Sequence, residues 1–176
     1  MGLFDRFKKK TKEAQINYTV NELGVGYMVD YFMETWEVKK VYLYDWGNNL
    51  ETREYLLDSG KETYYLHVED EDKLVCSLSQ KIEIRDIDAG LVKQIVDQDD
   101  APQQIVHQNI TYTRTSSGQG HCGEERDNEE DYAKFVNWMF ENGENFISID
   151  RWGEEDFSAA KGSYVKEIEF SNILPR

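Results

Sequence analysis

The chain is poor in cysteine and proline and has no long apolar run. Only two of its 176 residues are cysteines, Cys76 and Cys122, too few for a disulfide framework in a chain of this size. We therefore expect a cytoplasmic protein with reduced thiols, although a bond between these two cysteines stays an open alternative. No apolar run approaches the length of a membrane-spanning helix, so we expect neither a transmembrane segment nor a secretory leader.

Positive charge is scarce as well. Lysine and arginine number 20 against 35 aspartate and glutamate residues, which gives a formal net charge of −15. The imbalance is uneven, because residues 1–13 carry +3 and the remainder therefore carries −18. So acidic a body repels nucleic-acid phosphates, and we expect no nucleic-acid partner. Acidity also keeps proteins in solution, which is a simpler explanation than an acidic ligand-binding face.

Aromatic residues, by contrast, are abundant, with 11 Tyr, 8 Phe and 4 Trp, and this composition favours strands. Residues 55–70 and 138–151 repeat one pattern: an apolar strand, an acid, a turn centred on Gly60 or Gly143, and a second apolar strand. An isolated hairpin is only marginally stable, so each copy needs further strands to pack against. We predict a mainly β protein of ten or eleven strands, built as antiparallel sheets or small barrels from two similar hairpin-containing halves.

The predicted organisation is one compact unit with four segments. These are a basic, flexible N-terminal segment (1–19), a first β half (20–97), a linker (98–104) and a second β half (105–176). At most one short helix is expected, within residues 86–96. Residues 116–131 are rich in glycine and then in acids, and we predict a long, mobile loop there. Replacing Gly143 with valine should accordingly cost more stability than the same change at Gly120.

Several motifs resemble one bacterial family. They include Gly24-Val-Gly26, Trp36-Glu37-Val38, Tyr55-Leu-Leu-Asp58, Glu141-Asn142-Gly143 and Trp152-Gly153. Over roughly residues 20–175 the chain resembles the domain of unknown function 4178, and the shared motifs are structural ones. The resemblance implies no catalytic residue. It does imply a context of envelope stress or membrane maintenance, since genes of this family lie near phage-shock-like coiled-coil proteins, small membrane proteins and polyamine-synthase-like enzymes.

The sequence contains only weak signals for a catalytic or metal-binding site. His121 and Cys122 lie together, but a zinc site needs four ligands and no second pair is offered. Acids at matching places of the two repeats could form a pair for acid–base catalysis, although 35 acids produce such pairs by chance. These acids are Asp58, Glu69, Glu141 and Asp150. We expect no catalytic residue, no metal site and no cofactor.

Four residues are the candidate contacts for a ligand or a partner. Trp46 and Trp152 each stand beside a glycine at a strand end, where an indole often stays partly exposed. Glu69 and Asp70 belong to a run of four acids that must be solvated. Most acidic clusters fall in apparent loops of this kind.

The N-terminal segment is the candidate membrane contact. On a helix its apolar residues share one face, and a basic run follows them. We expect weak, peripheral contact with the inner face of the membrane, and the alternative is a frayed, solvated terminus. The residues concerned are Leu3, Phe4, Phe7, Lys8, Lys9 and Lys10.

The favoured hypothesis is a non-catalytic, acidic interaction module that docks onto another protein, itself membrane-associated, as an accessory of an envelope-stress or membrane-maintenance system. The alternative is a protein that binds a small polycation such as a polyamine in an acidic, aromatic-lined groove, and an enzyme of unknown type comes third. A large exposed apolar patch favours the module. A concave acidic pocket with an inward tryptophan favours the ligand-binding protein.

Overall fold

A computed structural model of the protein describes residues 18–175, which form eleven strands and one α-helix. The helix, α1, spans Leu91–Gln98. The strands are β1 (Met28–Tyr31), β2 (Glu34–Asp45), β3 (Glu51–Asp58), β4 (Thr63–Asp70), β5 (Leu74–Ile82), β6 (Gln104–His107), β7 (Ile110–Glu124), β8 (Ala133–Asn142), β9 (Asn145–Arg151), β10 (Phe157–Val165) and β11 (Phe170–Leu174). The predicted mainly β fold with a single short helix is confirmed.

All eleven strands belong to one antiparallel sheet that closes on itself. Their order is β11-β1-β2-β3-β4-β5-β10-β9-β8-β7-β6, and β2 also pairs with β7 through residues 42–45 and 121–124. This additional pairing closes a ring of eight strands, from β2 to β5 and back through β10, β9, β8 and β7. A ring of that size encloses enough space for side chains alone or for one small ligand.

Both repeated segments form hairpins, with turns at the predicted glycines. Asp58 pairs with Thr63 around a turn that contains Gly60. Asn142 pairs with Asn145 around Gly143, and the two glycines have φ values of +82° and +63°. The similarity of the two halves, and the division at a linker, stay predictions. The strand order supports the first, because β1 to β5 follow one another in the sheet and β6 to β10 follow in reverse.

The apolar core lies outside the ring, in two clusters. In the first, β2–β5 pack against β1, β11 and a 3₁₀ turn; its members include Val20, Val29, Val41, Tyr55, Leu57, Leu66, Val68 and Phe170. In the second, β8–β10 pack against α1 and β6; its members include Leu91, Ile95, Ile105, Trp138, Phe140, Ile147 and Ile149. Burying one large apolar side chain contributes about 1.5–3 kcal/mol, so these outer layers supply much of the stability.

The inner face of the ring carries most of the buried polar side chains of these strands, together with aromatic and apolar ones. Successive side chains of a strand point to opposite faces, so a residue between two outward apolar neighbours points inward. His67 lies between Leu66 and Val68 in this way, and Asp150 follows Ile149. The alternation thus places apolar residues under the outer layers and polar residues in the interior.

The predicted mobile loop at residues 116–131 is wrong, because most of this stretch belongs to β7. It pairs with β8 from Thr113 to Cys122 and with the end of β2. Its glycines serve close packing: a Cβ atom on Gly120 would lie 2.2 Å from the backbone oxygen of Asp45, and one on Gly118 would lie 3.0 Å from the Trp46 ring. A glycine-rich strand lets another segment approach closely, which explains the composition without any mobility.

The candidate membrane-contact residues, Leu3, Phe4, Phe7 and Lys8 to Lys10, lie outside the described residues. Within residues 18–175, no helix combines the length and apolar character needed to cross a membrane.

Candidate functional site

The ring of strands encloses a cavity of about 410 Å³. All eight ring strands contribute side chains to its wall. Its volume falls within the range of about 300–1,000 Å³ that is typical of small-molecule sites. The polar side chains of the wall include Tyr42, Tyr44, Glu54, Tyr65, His67, Ser77, Ser79, Asn137, Ser148, Asp150 and Ser158.

Glu54, on β3, is the first carboxyl group of the cavity. The Tyr44 hydroxyl donates a hydrogen bond to its Oε1 atom at 3.2 Å, and Nδ1 of His67 lies 3.8 Å from its Oε2 atom. Only 18% of the Glu54 side chain is accessible. Two adjacent strands, β2 and β4, therefore hold this carboxyl group in place from either side.

Asp150, on β9, is the second carboxyl group. The strands β3 and β9 lie four positions apart in the ring of eight, so the two carboxyl groups come from opposite walls. Asn137 Nδ2 donates hydrogen bonds to Asp150 Oδ1 and to Ser148 Oγ, both at 2.7 Å.

The pKa of Asp150 is strongly raised. Burial raises it to about 6; the hydrogen bond from Asn137 opposes the change, and the nearby charge of Glu54 adds to it. The side chain keeps some accessible surface, but it is one of the residues that line the cavity, so this surface is available to an occupant. Asp150 is thus a carboxyl group that titrates near neutral pH in an enclosed space.

Three aromatic rings, those of Tyr44, Trp46 and Trp152, line one side of the cavity, and Phe135 packs against them. Trp46 stacks on Tyr44 with ring centroids 6.0 Å apart, and Phe135 lies 4.9 Å from Trp46 and 5.4 Å from Trp152. Each indole N–H donates a hydrogen bond at 2.9 Å, from Trp46 to Thr52 Oγ1 and from Trp152 to the hydroxyl of a serine on β10. These bonds fix the orientation of both indoles.

The same rings also border the outside. A second, more open depression of about 710 Å³ is lined by Trp46, Phe135 and Trp152 as well. Trp46 and Trp152 line both spaces, so these two indoles lie between the inner cavity and the outer depression.

The cavity wall also carries the thiol of Cys122 and the amine of Lys81. Burial raises the pKa of Cys122, which lines the cavity, to about 12 and that of Cys76, in the outer core, to about 11. Both thiols are free and protonated, so neither is an activated nucleophile. The exposed Lys81 extends its ammonium group over the ring of Tyr65, 5.2 Å from the ring centroid.

The structure brings together two of the four candidate contact residues. Trp46 and Trp152, both half-buried, meet through Phe135 at the cavity wall. Glu69 and Asp70 lie at the end of β4 and line neither depression.

Sequence reasoning missed Glu54 and His67, and of the four acids it paired only Asp150 lines the cavity. A polar residue between two apolar ones within a strand is a signal for His67, which lies between Leu66 and Val68, whereas Glu54 follows Arg53 and gives no such signal. Within residues 18–175, no three His, Cys, Asp or Glu side chains are grouped in a way that could hold a metal ion.

The fold and the site define a closed antiparallel sheet with apolar layers outside and, inside, a cavity lined by polar, aromatic and apolar side chains. The chain belongs to the family described as "Domain of unknown function (DUF4178)", whose model matches residues 24–167, and the resemblance seen in the sequence is thereby confirmed. It is also similar to a protein of Aquifex aeolicus (strain VF5) described as an uncharacterized protein, at 27% identity over 185 residues that cover both chains fully. No solved structure matches the chain.

Proposed function

We propose that this protein binds a small organic cation in the cavity. The observation that supports this function is the placement of Glu54 and Asp150 on opposite walls of one enclosed space. Carboxylates removed from water need a counter-charge, and a cation between the two supplies it to both. The faces of Tyr44, Trp46 and Trp152 add attraction for a cation.

The protein's own basic side chains near the cavity do not supply a permanent counter-charge to Glu54 and Asp150. His67 faces Glu54 but carries a charge only when it is protonated. The amine of Lys81 is exposed and lies over Tyr65. An organic cation also suits the site better than a metal ion, since in the described part of the chain no three ligating side chains group together.

This proposal is a broader form of the alternative that the sequence ranked second. The interaction module was ranked first because the acidic clusters were expected in loops. Glu54 and Asp150 are the exceptions that the structure supplies, since each lies within a strand and faces the cavity.

The test is binding of a panel of organic cations, from simple primary amines to spermidine, followed by tryptophan fluorescence because two indoles line the wall. Each titration is compared with sodium chloride of equal ionic strength. We expect a saturable change that is weakened at least about tenfold by Glu54→Gln and by Asp150→Asn, as for a lost charge-assisted contact. Glu69→Gln and Asp70→Asn are the matched controls and should bind as the wild type does.

Two results would contradict the proposal. The first is a panel in which no cation exceeds the salt control. The second is wild-type affinity in both cavity variants.

A second candidate function, docking onto a protein partner, has one observation in its favour. The turn between β1 and β2 consists of Phe32 and Met33, which are 79% and 97% exposed and have φ values of 50° and 64°. Two apolar residues in the left-handed region are costly, and such strain is a reason to suspect a role. The equivalent turn between β6 and β7 has the same geometry with polar residues, Gln108 and Asn109. The interaction role and its link to envelope stress stay predictions.

A further inference from the structure

The two carboxyl groups that face each other across the cavity, Glu54 and Asp150, share it with the hydroxyl group of Tyr44. This hydroxyl donates to Glu54 at 3.2 Å. Burial raises the pKa of Tyr44 well above its usual range, and both Glu54 and Asp150 lie close enough to raise it further. Glu54 and Asp150 come from opposite walls of one enclosed cavity of about 410 Å³, so a single cation between these walls can lie close to both.

Apart from the part that carries Glu54, Asp150 and His67, the wall of the cavity carries almost no charge. It is formed by serines and by apolar side chains, among them Met139, Phe146 and Ala160. The exceptions are Asp156, which is exposed in the loop after Trp152, and the ammonium group of Lys81. A second positive charge on a ligand would find no buried carboxylate here, and Lys81 would repel it.

We infer that the occupant is an organic monocation, a primary amine with an uncharged, largely apolar body, and not a polyamine. The inference rests on the proposed function and narrows its ligand class. A primary ammonium group has three N–H donors, which match Glu54, Asp150 and the Tyr44 oxygen. The body of the ligand then lies along Met139 and Phe146, where it replaces water at an apolar wall.

Three ligands with the same six-carbon chain test this class on the full-length protein: hexylamine, 1,6-diaminohexane and 1-hexanol. Their affinities are measured by calorimetry at neutral pH and constant ionic strength. We expect hexylamine to bind at least about tenfold more tightly than the diamine, which must bury an unpaired charge, and than the alcohol, which leaves both carboxylates without a counter-charge.

A variant at Lys81 distinguishes repulsion between Lys81 and the second ammonium group from an effect of ligand size. Lys81→Met removes the like charge, which repels the second ammonium group most strongly, so it should reduce the preference for hexylamine over the diamine by about threefold or more. Lys73→Met, an exposed lysine between β4 and β5, is the control and should leave the preference unchanged.

Each outcome decides between the two claims. Equal or tighter binding of the diamine overturns the monocation inference and leaves the proposed function standing. Equal binding of the alcohol, or saturable binding of none of the three, overturns both. If Lys81→Met leaves the preference for hexylamine over the diamine unchanged, Lys81 does not repel the second ammonium group. This result would refute repulsion by Lys81 as a reason to exclude polyamines.

Discussion

A single methyl group added at Gly120 tests whether the glycines of β7 serve close packing. The new Cβ atom would lie 2.2 Å from the backbone oxygen of Asp45, 3.1 Å from its carbonyl carbon and 3.2 Å from Trp46 Cα. All three are backbone atoms, so no side chain can swing aside and the end of β2 must move. Overpacking costs about 1–3 kcal/mol, and a clash with backbone belongs at the upper end, near 3 kcal/mol.

Gly143→Ala is the matched comparison. Gly143 has φ +63°, and a Cβ atom there would have no neighbour within 4 Å. The expected cost is therefore only that of an alanine in the left-handed region, about 1–2 kcal/mol. For alanine, the structure thus predicts that Gly120 is the more sensitive position, whereas the sequence predicts the opposite order for valine.

The measurement is urea unfolding followed by far-UV circular dichroism, with thermal unfolding in parallel. For a chain of this length, about 3 kcal/mol corresponds to a fall in Tm of about 6–12 °C. Because Gly120 supports the segment that carries Trp46, the fluorescence of the folded variant should change as well. A loss in Gly120→Ala equal to or smaller than that in Gly143→Ala would refute the packing argument.

Two further predictions concern Asp150 and the exposed turn. The pKa of Asp150 rises from 3.8 to about 6 on folding, so the folded state binds the extra proton and loses stability as pH rises through this window. Asp150→Asn should therefore stabilise the protein at pH 7 by about 2 kcal/mol, a value reduced to allow for the access of solvent to the cavity. At pH 4 the same variant should stabilise the protein by almost nothing. An equal gain at both pH values would contradict a raised pKa of Asp150. Phe32→Asn combined with Met33→Gly supplies the residues that suit this turn and should stabilise by about 1 kcal/mol, yet it should abolish co-purification of a partner from the native host. A partner retained at wild-type level by this variant refutes the docking role.

The hairpins were predictable because their signals are local. Gly60 and Gly143 each supply a positive φ between two apolar runs, and a short-range pattern is enough to reveal such a turn. The course of β7 was not predictable in this way. Its glycines resemble a flexible linker, and only the approach of Asp45 and Trp46, some seventy residues earlier, shows why side chains are excluded there.

The site was harder still, because alternation alone does not say which face of a strand is enclosed. A sheet with one apolar face usually turns that face inward. Here α1, β1 and β11 cover the outside, and this reverses the assignment for the strands that lie beneath them. Trp46 and Trp152 could be predicted from their positions at strand ends. Glu54 could not, because only the closed sheet shows that its side chain lies in an enclosed cavity.

This inverted arrangement separates stability from binding. The free energy of burial comes from the two outer clusters, so the inner face is free to hold groups that cost stability, such as a second carboxyl group with a raised pKa. Ligand binding would recover that cost, since a ligand that binds only the folded state stabilises it by mass action. Glu54→Gln and Asp150→Asn remove charge without removing any outer contact, so both variants should fold. The loss of binding can then be assigned to the carboxyl groups themselves.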